Sequence, residues 1–124
     1  MAFTPSQFGI RVLLVDDDPS TRRIYAAFLT EMGLAGVTTA GGAAECLAAV
    51  EAALLPFDCV LVDIQMPDLS GIEVVRRLRA RPGYERTPIL MITAARTPEC
   101  VVKDAFDAGA DGFCLQTDLA QGIA

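Results

Sequence analysis

Histidine is absent from this 124-residue chain. That removes every catalytic scheme built on an imidazole base. The four cysteines, Cys46, Cys59, Cys100 and Cys114, include no Cys-x-x-Cys pair. Without histidine or a Cys-x-x-Cys pair, a zinc site is not expected. The cysteines read as reduced core thiols, with Cys59 and Cys114 inside apolar, strand-like runs. No apolar stretch approaches the ~20 residues of a membrane span. The opening Met1-Ala2-Phe3-Thr4-Pro5 lacks the basic start and long apolar run of a signal peptide. The expected location is therefore the cytoplasm, with no membrane attachment. Positive charge is in deficit: 10 Lys and Arg against 16 Asp and Glu leave a net charge of −6. An acidic surface repels phosphate backbones, so direct nucleic-acid binding is not expected. Internal repeats, linkers and low-complexity segments are also missing. The length suits one domain with one core.

What is present alternates between strand and helix. Ile10 to Val15 is a near-continuous apolar run, as in a strand covered on both faces. Asp18-Pro19 reads as an N-cap followed by proline at the first helical position. Ile24, Tyr25, Phe28, Leu29 and Met32 recur at helical spacing and predict one buried stripe, stopped by Gly33. Gly36 to Ala40 is a second strand, and Ala43 to Leu55 a helix ending at Pro56. Asp58 to Val62 is the third strand. The next helix starts near Ser70, with Ile72, Val75 and Leu78 on one face and a Glu73–Arg77 pair outside. Ile89 to Ile92 is the fourth strand, ending in Thr93. Thr97-Pro98-Glu99 opens a helix carrying Val101, Val102, Ala105 and Phe106, stopped by Gly109. Gly112 to Leu115 is the fifth strand. Residues 118–124 hold at most two helical turns, and residues 1–9 read as a loosely held leader before a domain spanning 10–124. Strands separated by helices of ten or more residues imply right-handed crossovers and a parallel sheet. The arginines Arg76, Arg77, Arg79, Arg81 and Arg86 read as a solvated helix face and loop, which could also dock an acidic partner.

Two strands end in acid. Asp16-Asp17-Asp18 follows Val12–Val15, and Asp63 follows Cys59–Val62. Carboxylates at strand C-termini lie where open α/β sheets build their sites, so one shared acidic pocket is expected.

Four segments in order then carry a family resemblance: Leu-Leu-Val-Asp-Asp-Asp-Pro at the first strand, Val-Asp-Ile-Gln-Met-Pro-Asp-Leu-Ser-Gly at the third, Ile-Thr-Ala at the fourth, and Ala-Gly-Ala-Asp-Gly-Phe near the end. Over nearly its whole length the chain resembles the receiver domain of two-component response regulators. The resemblance implies a flavodoxin-like α/β fold, strand order 2-1-3-4-5, with the pocket at the strand C-termini. It makes Asp63 the phosphoacceptor. Asp17 and Asp63 become direct Mg²⁺ ligands, Asp16 a ligand through water, and Gln65 a ligand through its backbone carbonyl. Thr93 becomes the switch hydroxyl and Phe113 the aromatic that turns inward when Thr93 moves. Physical chemistry agrees on the metal. Carboxylates ~4 Å apart at an effective dielectric of ~20 repel by about 4 kcal/mol per pair, and a hard divalent cation removes that conflict. The implied donor is a histidine kinase or phosphotransfer protein. A downstream protein partner and a homodimer are both compatible, and no enzyme activity beyond self-phosphorylation and dephosphorylation is expected.

The chain departs from the family in one place that matters. Receivers carry Lys then Pro at the end of strand five, where this chain has Gln116 and Thr117. Its only lysine is Lys103, which reads as a solvated helix residue. Gln116 brings no charge, and neutral hydrogen bonds are roughly half as strong as charge-assisted ones. Two readings follow: an atypical but phosphorylatable receiver, or a degenerate one that binds a partner without phosphorylation. A rival from another class makes Asp16-x-Asp18 the nucleophile motif of a haloacid-dehalogenase-type phosphohydrolase, which leaves the Asp63 loop without a purpose.

Overall fold

Runs rich in Val, Leu and Ile form the strands of the computed structural model, which describes residues 10–34, 36–66, 68–93 and 97–116. The expected leader and the C-terminal turns at 118–124 lie outside those residues. The order is β1 (Arg11–Val15), α1 (Pro19–Glu31), β2 (Gly36–Ala40), α2 (Ala43–Ala52), β3 (Cys59–Asp63), α3 (Gly71–Arg79), β4 (Ile89–Thr93), α4 (Glu99–Ala108) and β5 (Gly112–Leu115). The five strands form one parallel sheet in the order β2-β1-β3-β4-β5, as expected.

Strand side chains alternate between faces. Leu13, Val15, Val60, Val62, Ile89 and Met91 pack with Cys46 and Val50 of α2, with Val74, Val75 and Leu78 of α3 and with Ala105 of α4. Val12, Leu14, Leu61 and Ile92 face the other way, onto Tyr25 and Leu29 of α1. Helices thus cover both faces, and the inner strands β1, β3 and β4 read as continuous apolar runs because most of their residues are buried on both faces, whereas Thr38 and Thr39 of the edge strand β2 are exposed.

Local signals set most boundaries. Asp18 caps α1, accepting from the Thr21 backbone N–H at 3.0 Å and also from its hydroxyl. Ser70 caps α3 by accepting from Glu73 N–H at 3.3 Å. Gly109, at φ 118°, ends α4, a conformation that favours glycine.

Several expectations need correction. In α1 only Tyr25 and Leu29 are buried, while Ile24 is 52% and Met32 56% exposed. The two apolar rows lie side by side on the helix, and the Tyr25–Leu29 row takes the sheet. Helix α2 stops at Ala52, not Leu55. Ala53 is already extended, and the Arg11 guanidinium holds the loop by donating to Leu55 O at 2.7 Å while lying 4.7 Å over the Phe57 ring. Strand β3 starts at Cys59, because Asp58 is occupied in accepting from Arg11 N–H at 2.8 Å. In α3 the buried face is Val74, Val75 and Leu78, with Ile72 half-buried. Phe106 of α4 is exposed and meets Phe113 edge-on, ring centroids 5.2 Å apart. Cys100 is exposed and so is no core thiol, whereas Cys46 is buried and its thiol pushed up to about 12 by desolvation.

The arginine cluster also divides. Arg79 donates to the carbonyls of Gly109, Tyr84 and Thr87 and pairs with Asp111 at 2.9 Å. It ties α3 to the start of β4 and the end of α4 rather than facing a partner. Arg76 and Arg77 pair with Glu73 at 3.0 and 3.5 Å.

Candidate functional site

All strands run the same way, so their C-terminal ends share one edge. That edge collects Asp16 after β1, Asp63 at the end of β3, Thr93 at the end of β4 and Gln116 after β5. The register fixes the spacing: Val15 lies opposite Val62, Asp63 opposite Ile92, and Thr93 opposite Leu115.

Asp16, Asp17 and Asp63 each bring a carboxylate oxygen within 4.8 Å of the others. Asp16 is 2% exposed. Its Oδ1 accepts from Asp18 N–H at 2.9 Å, while Oδ2 is buried with no hydrogen-bond partner among the described residues. Desolvation raises its carboxyl above the ordinary value, with Asp17 and Asp18 adding repulsion. Asp63 is 9% exposed and accepts from Gln65 N–H at 3.2 Å. Burial first, then repulsion from Asp16 and Asp17, pushes it up to about 6, partly offset by the Gln65 N–H. A buried oxygen without a donor costs about 1–3 kcal/mol. Three clustered carboxylates, one of which carries an oxygen left without a donor among the described residues, suit a divalent cation.

Beside the carboxylates lies a cavity of about 170 Å³, lined by Asp63, Gln65, Thr93, Thr97, Gln116 and neighbouring apolar side chains. The structure therefore brings the expected Asp63, Thr93, Gln65 and Gln116 to one space, adjoining Asp16 and Asp17. Thr93 is 6% exposed, and its hydroxyl is hydrogen-bonded to that of Thr97. The sequence reading missed Thr97, although a hydroxyl just before a helix start is a visible signal. Phe113 stands half-buried on β5. Lys103 is exposed and pairs with Asp107 at 2.9 Å within α4, so it is a solvated helix residue and no ammonium in the cavity. Among the described residues no helix is long and apolar enough to cross a membrane.

The chain matches the response regulator receiver domain over residues 12–117. It is 34% identical over 115 residues to the gliding motility regulatory protein of Myxococcus xanthus, a match covering 93% of this chain and 14% of that protein. It is 37% identical over 102 residues to the transcriptional regulatory protein KdpE of Mycobacterium tuberculosis, covering 82% of this chain and 42% of that one. The chain thus spans less than half the length of either regulator. Among solved structures it resembles the receiver domain of the histidine kinase CKI1 from Arabidopsis thaliana complexed with Mg²⁺ and BeF₃⁻, with a TM-score of 0.78, 28% identity, and coverage of 95% of this chain and 91% of that one. These matches set aside the dehalogenase-type reading. The fold, the clustered aspartates and the matched residues together make this chain a member of the response-regulator receiver family.

Proposed function

We propose that the chain is a phosphoacceptor receiver domain, modified on Asp63 and supplied by a histidine kinase or phosphotransfer protein. The observation that carries the reading is the meeting of Asp16, Asp17 and Asp63 within 4.8 Å, beside the cavity that Thr93 and Gln116 share. Asp16, Asp17 and Asp63, with the Gln65 carbonyl, would hold Mg²⁺. When bound, that ion supplies positive charge against the oxygens of a transferring phosphoryl group. A relative by structure carries both Mg²⁺ and a phosphate mimic, which supports the assignment.

Asp63 attacks the donor phosphorus through a carboxylate oxygen. The donor's bond to phosphorus breaks, its electron pair stays on the donor, and Asp63 becomes an acyl phosphate. Attack by water at the same phosphorus breaks its bond to the Asp63 oxygen, releases inorganic phosphate and a proton to solvent, and returns the carboxylate. The added charge and acceptor oxygens draw the Thr93 hydroxyl away from Thr97, vacating space toward which Phe113 turns. The surface of β4, α4 and β5 shifts its population accordingly. Full inversion from 1:99 to 99:1 needs ~5.5 kcal/mol.

Intact-mass measurement after acetyl phosphate and Mg²⁺ tests this reading. Wild type gains one phosphoryl group and Asp63→Asn gains none. No gain in wild type would favour the second reading, a receiver that docks a partner without phosphorylation. That reading draws on Gln116, which gives the cavity no ammonium.

Gln116 also sets the expected strength of the switch. Bonds to a charged donor contribute about 1 kcal/mol more than neutral ones. Gln116→Lys should therefore lower the beryllofluoride concentration needed for half-saturation by roughly fivefold, read from the amide shifts of Thr93 and Phe113. An unchanged titration would refute this account of Gln116.

A further inference from the structure

Helix α2 begins without a cap of its own. Its N-cap is Gly42, which has no side chain to offer, yet the first amides of a helix need acceptors. Ala43 and Ala44 donate instead to the two carboxylate oxygens of Asp68, at 3.3 and 3.2 Å, from 25 and 24 residues away in sequence. Gly42 leaves room for this contact, since a Cβ there would come 3.1 Å from Asp68 Oδ2. The Ala44 and Ala43 amides hold the Asp68 carboxyl below its ordinary value.

Asp68 belongs to the loop that leaves Asp63 and enters α3. Ile64 N–H still donates to β4, at Ile92 O, 3.2 Å. Beyond Ile64, Gln65 N–H turns back to Asp63 and Gly71 N–H to Ile64 O at 2.8 Å. In this later part of the loop, among the described residues, Asp68 makes the hydrogen bonds that reach another element. The element it reaches leads directly to the other half of the site. Ala40, Gly41 and Gly42 precede Ala43, and the Ala40 carbonyl accepts from Asp16 N–H at 3.1 Å. The bonds form a path between the two sides of the site: Asp16 to Ala40, along the two glycines to Ala43, across to Asp68, and along the loop to Asp63.

We propose that Asp68 is a positioning residue for the acidic site, clamping the Asp63 loop to the start of α2 and so fixing Asp63 and the Gln65 carbonyl relative to Asp16 and Asp17. The metal-facing half of the inference rests on the function proposed above. The clamp itself stands on the hydrogen bonds alone.

Mn²⁺ serves as the probe, its free concentration read by electron paramagnetic resonance, with circular dichroism showing each variant folded at the working temperature. Residues that orient a metal site affect affinity by tenfold or more. Asp68→Ala is expected to weaken Mn²⁺ binding about tenfold, and Asp68→Asn roughly threefold, because the amide oxygen still accepts one N–H. Gly42→Ala keeps the Asp68 charge but crowds its carboxylate, and is expected to weaken binding as well. Amide exchange in metal-free Asp68→Ala should accelerate at Gln65 and Gly71 while β1 and β3 stay protected. Wild-type affinity in Asp68→Ala would overturn the positioning role. So would equal losses in the Ala and Asn variants with Gly42→Ala unaffected, since that pattern reports long-range charge rather than a clamp. If wild type fails to bind Mn²⁺, the metal reading falls. The exchange data then decide the clamp alone, and unchanged exchange overturns it.

Discussion

Gly71→Ala is expected to lose about 3 kcal/mol or more of stability, toward the upper end of what overpacking costs, and to fold poorly at 37 °C. Gly71 is the first residue of α3 and is buried. A Cβ built there would overlap the Asp63 carbonyl oxygen and lie 3.0 Å from both the Asp63 carbonyl carbon and the Ile64 Cα. Those atoms are backbone, so no rotamer change relieves the overlap. Relief requires moving the Asp63–Ile64 peptide, which adjoins the Asp63 side chain on one side and, on the other, the Ile64 carbonyl that accepts the Gly71 N–H. Urea unfolding measures the loss as a lower midpoint at unchanged slope. Gly33→Ala is the control. Gly33 sits at φ 100°, and a methyl group on its Cα would meet nothing within 4 Å, so alanine there costs only the left-handed backbone, about 1–2 kcal/mol. Equal losses in the two variants would mean that the steric argument at Gly71 is wrong.

Strand positions were legible because a buried parallel strand writes its burial as an unbroken apolar run. That is why Val12–Val15, Val60–Val62 and Ile89–Ile92 could be placed within a residue or so. The site was legible for a related reason: parallel strands deliver their C-terminal residues to one edge. Asp16, Asp63, Thr93 and Gln116 therefore meet once the strands are known. Helical faces were less legible. Spacing marks Ile24, Tyr25, Phe28, Leu29 and Met32 as apolar neighbours but does not say which of two adjacent rows meets the sheet. The role of Asp68 was hidden, because a missing cap at Gly42 does not name the distant acid that fills it. Arg79 was hidden among other arginines, although it alone of Arg76, Arg77 and Arg79 reaches the Gly109 carbonyl at the C-terminus of α4. Gly71 left a signal in plain view: glycine is a poor helix former, so its presence at a helix start hints at close backbone approach.

In EDTA at pH 8, Asp63→Asn should be more stable than wild type by up to about 3 kcal/mol, a rise of roughly 10 °C in Tm. Burial raises the Asp63 carboxyl from 3.8 to about 6, so the fold favours the protonated form. The stabilisation linked to that proton is complete below pH ~4, where Asp63 is protonated folded or unfolded. It is lost as pH rises through about 6. A difference of about two pH units converts at 1.36 kcal/mol per unit to the ~3 kcal/mol above. Asn cannot ionise, yet its carbonyl still accepts the Gln65 N–H, so the variant escapes the penalty and keeps the bond. The advantage should shrink to near zero at pH 4. Saturating Mg²⁺ should narrow it at pH 8, because binding to the folded wild type adds stability in proportion to RT ln(1 + [L]/Kd) and the variant offers one carboxylate fewer. Asp16 contributes with the same sign, so Asp16→Asn should show a related pH-dependent gain in EDTA and a similar loss of Mg²⁺ response. Thermal melts of the three proteins at pH 4 and pH 8, with EDTA or Mg²⁺, check the whole scheme. A stability gain that is the same at both pH values would show that repacking, not relief of buried charge, distinguishes Asn from Asp at this position.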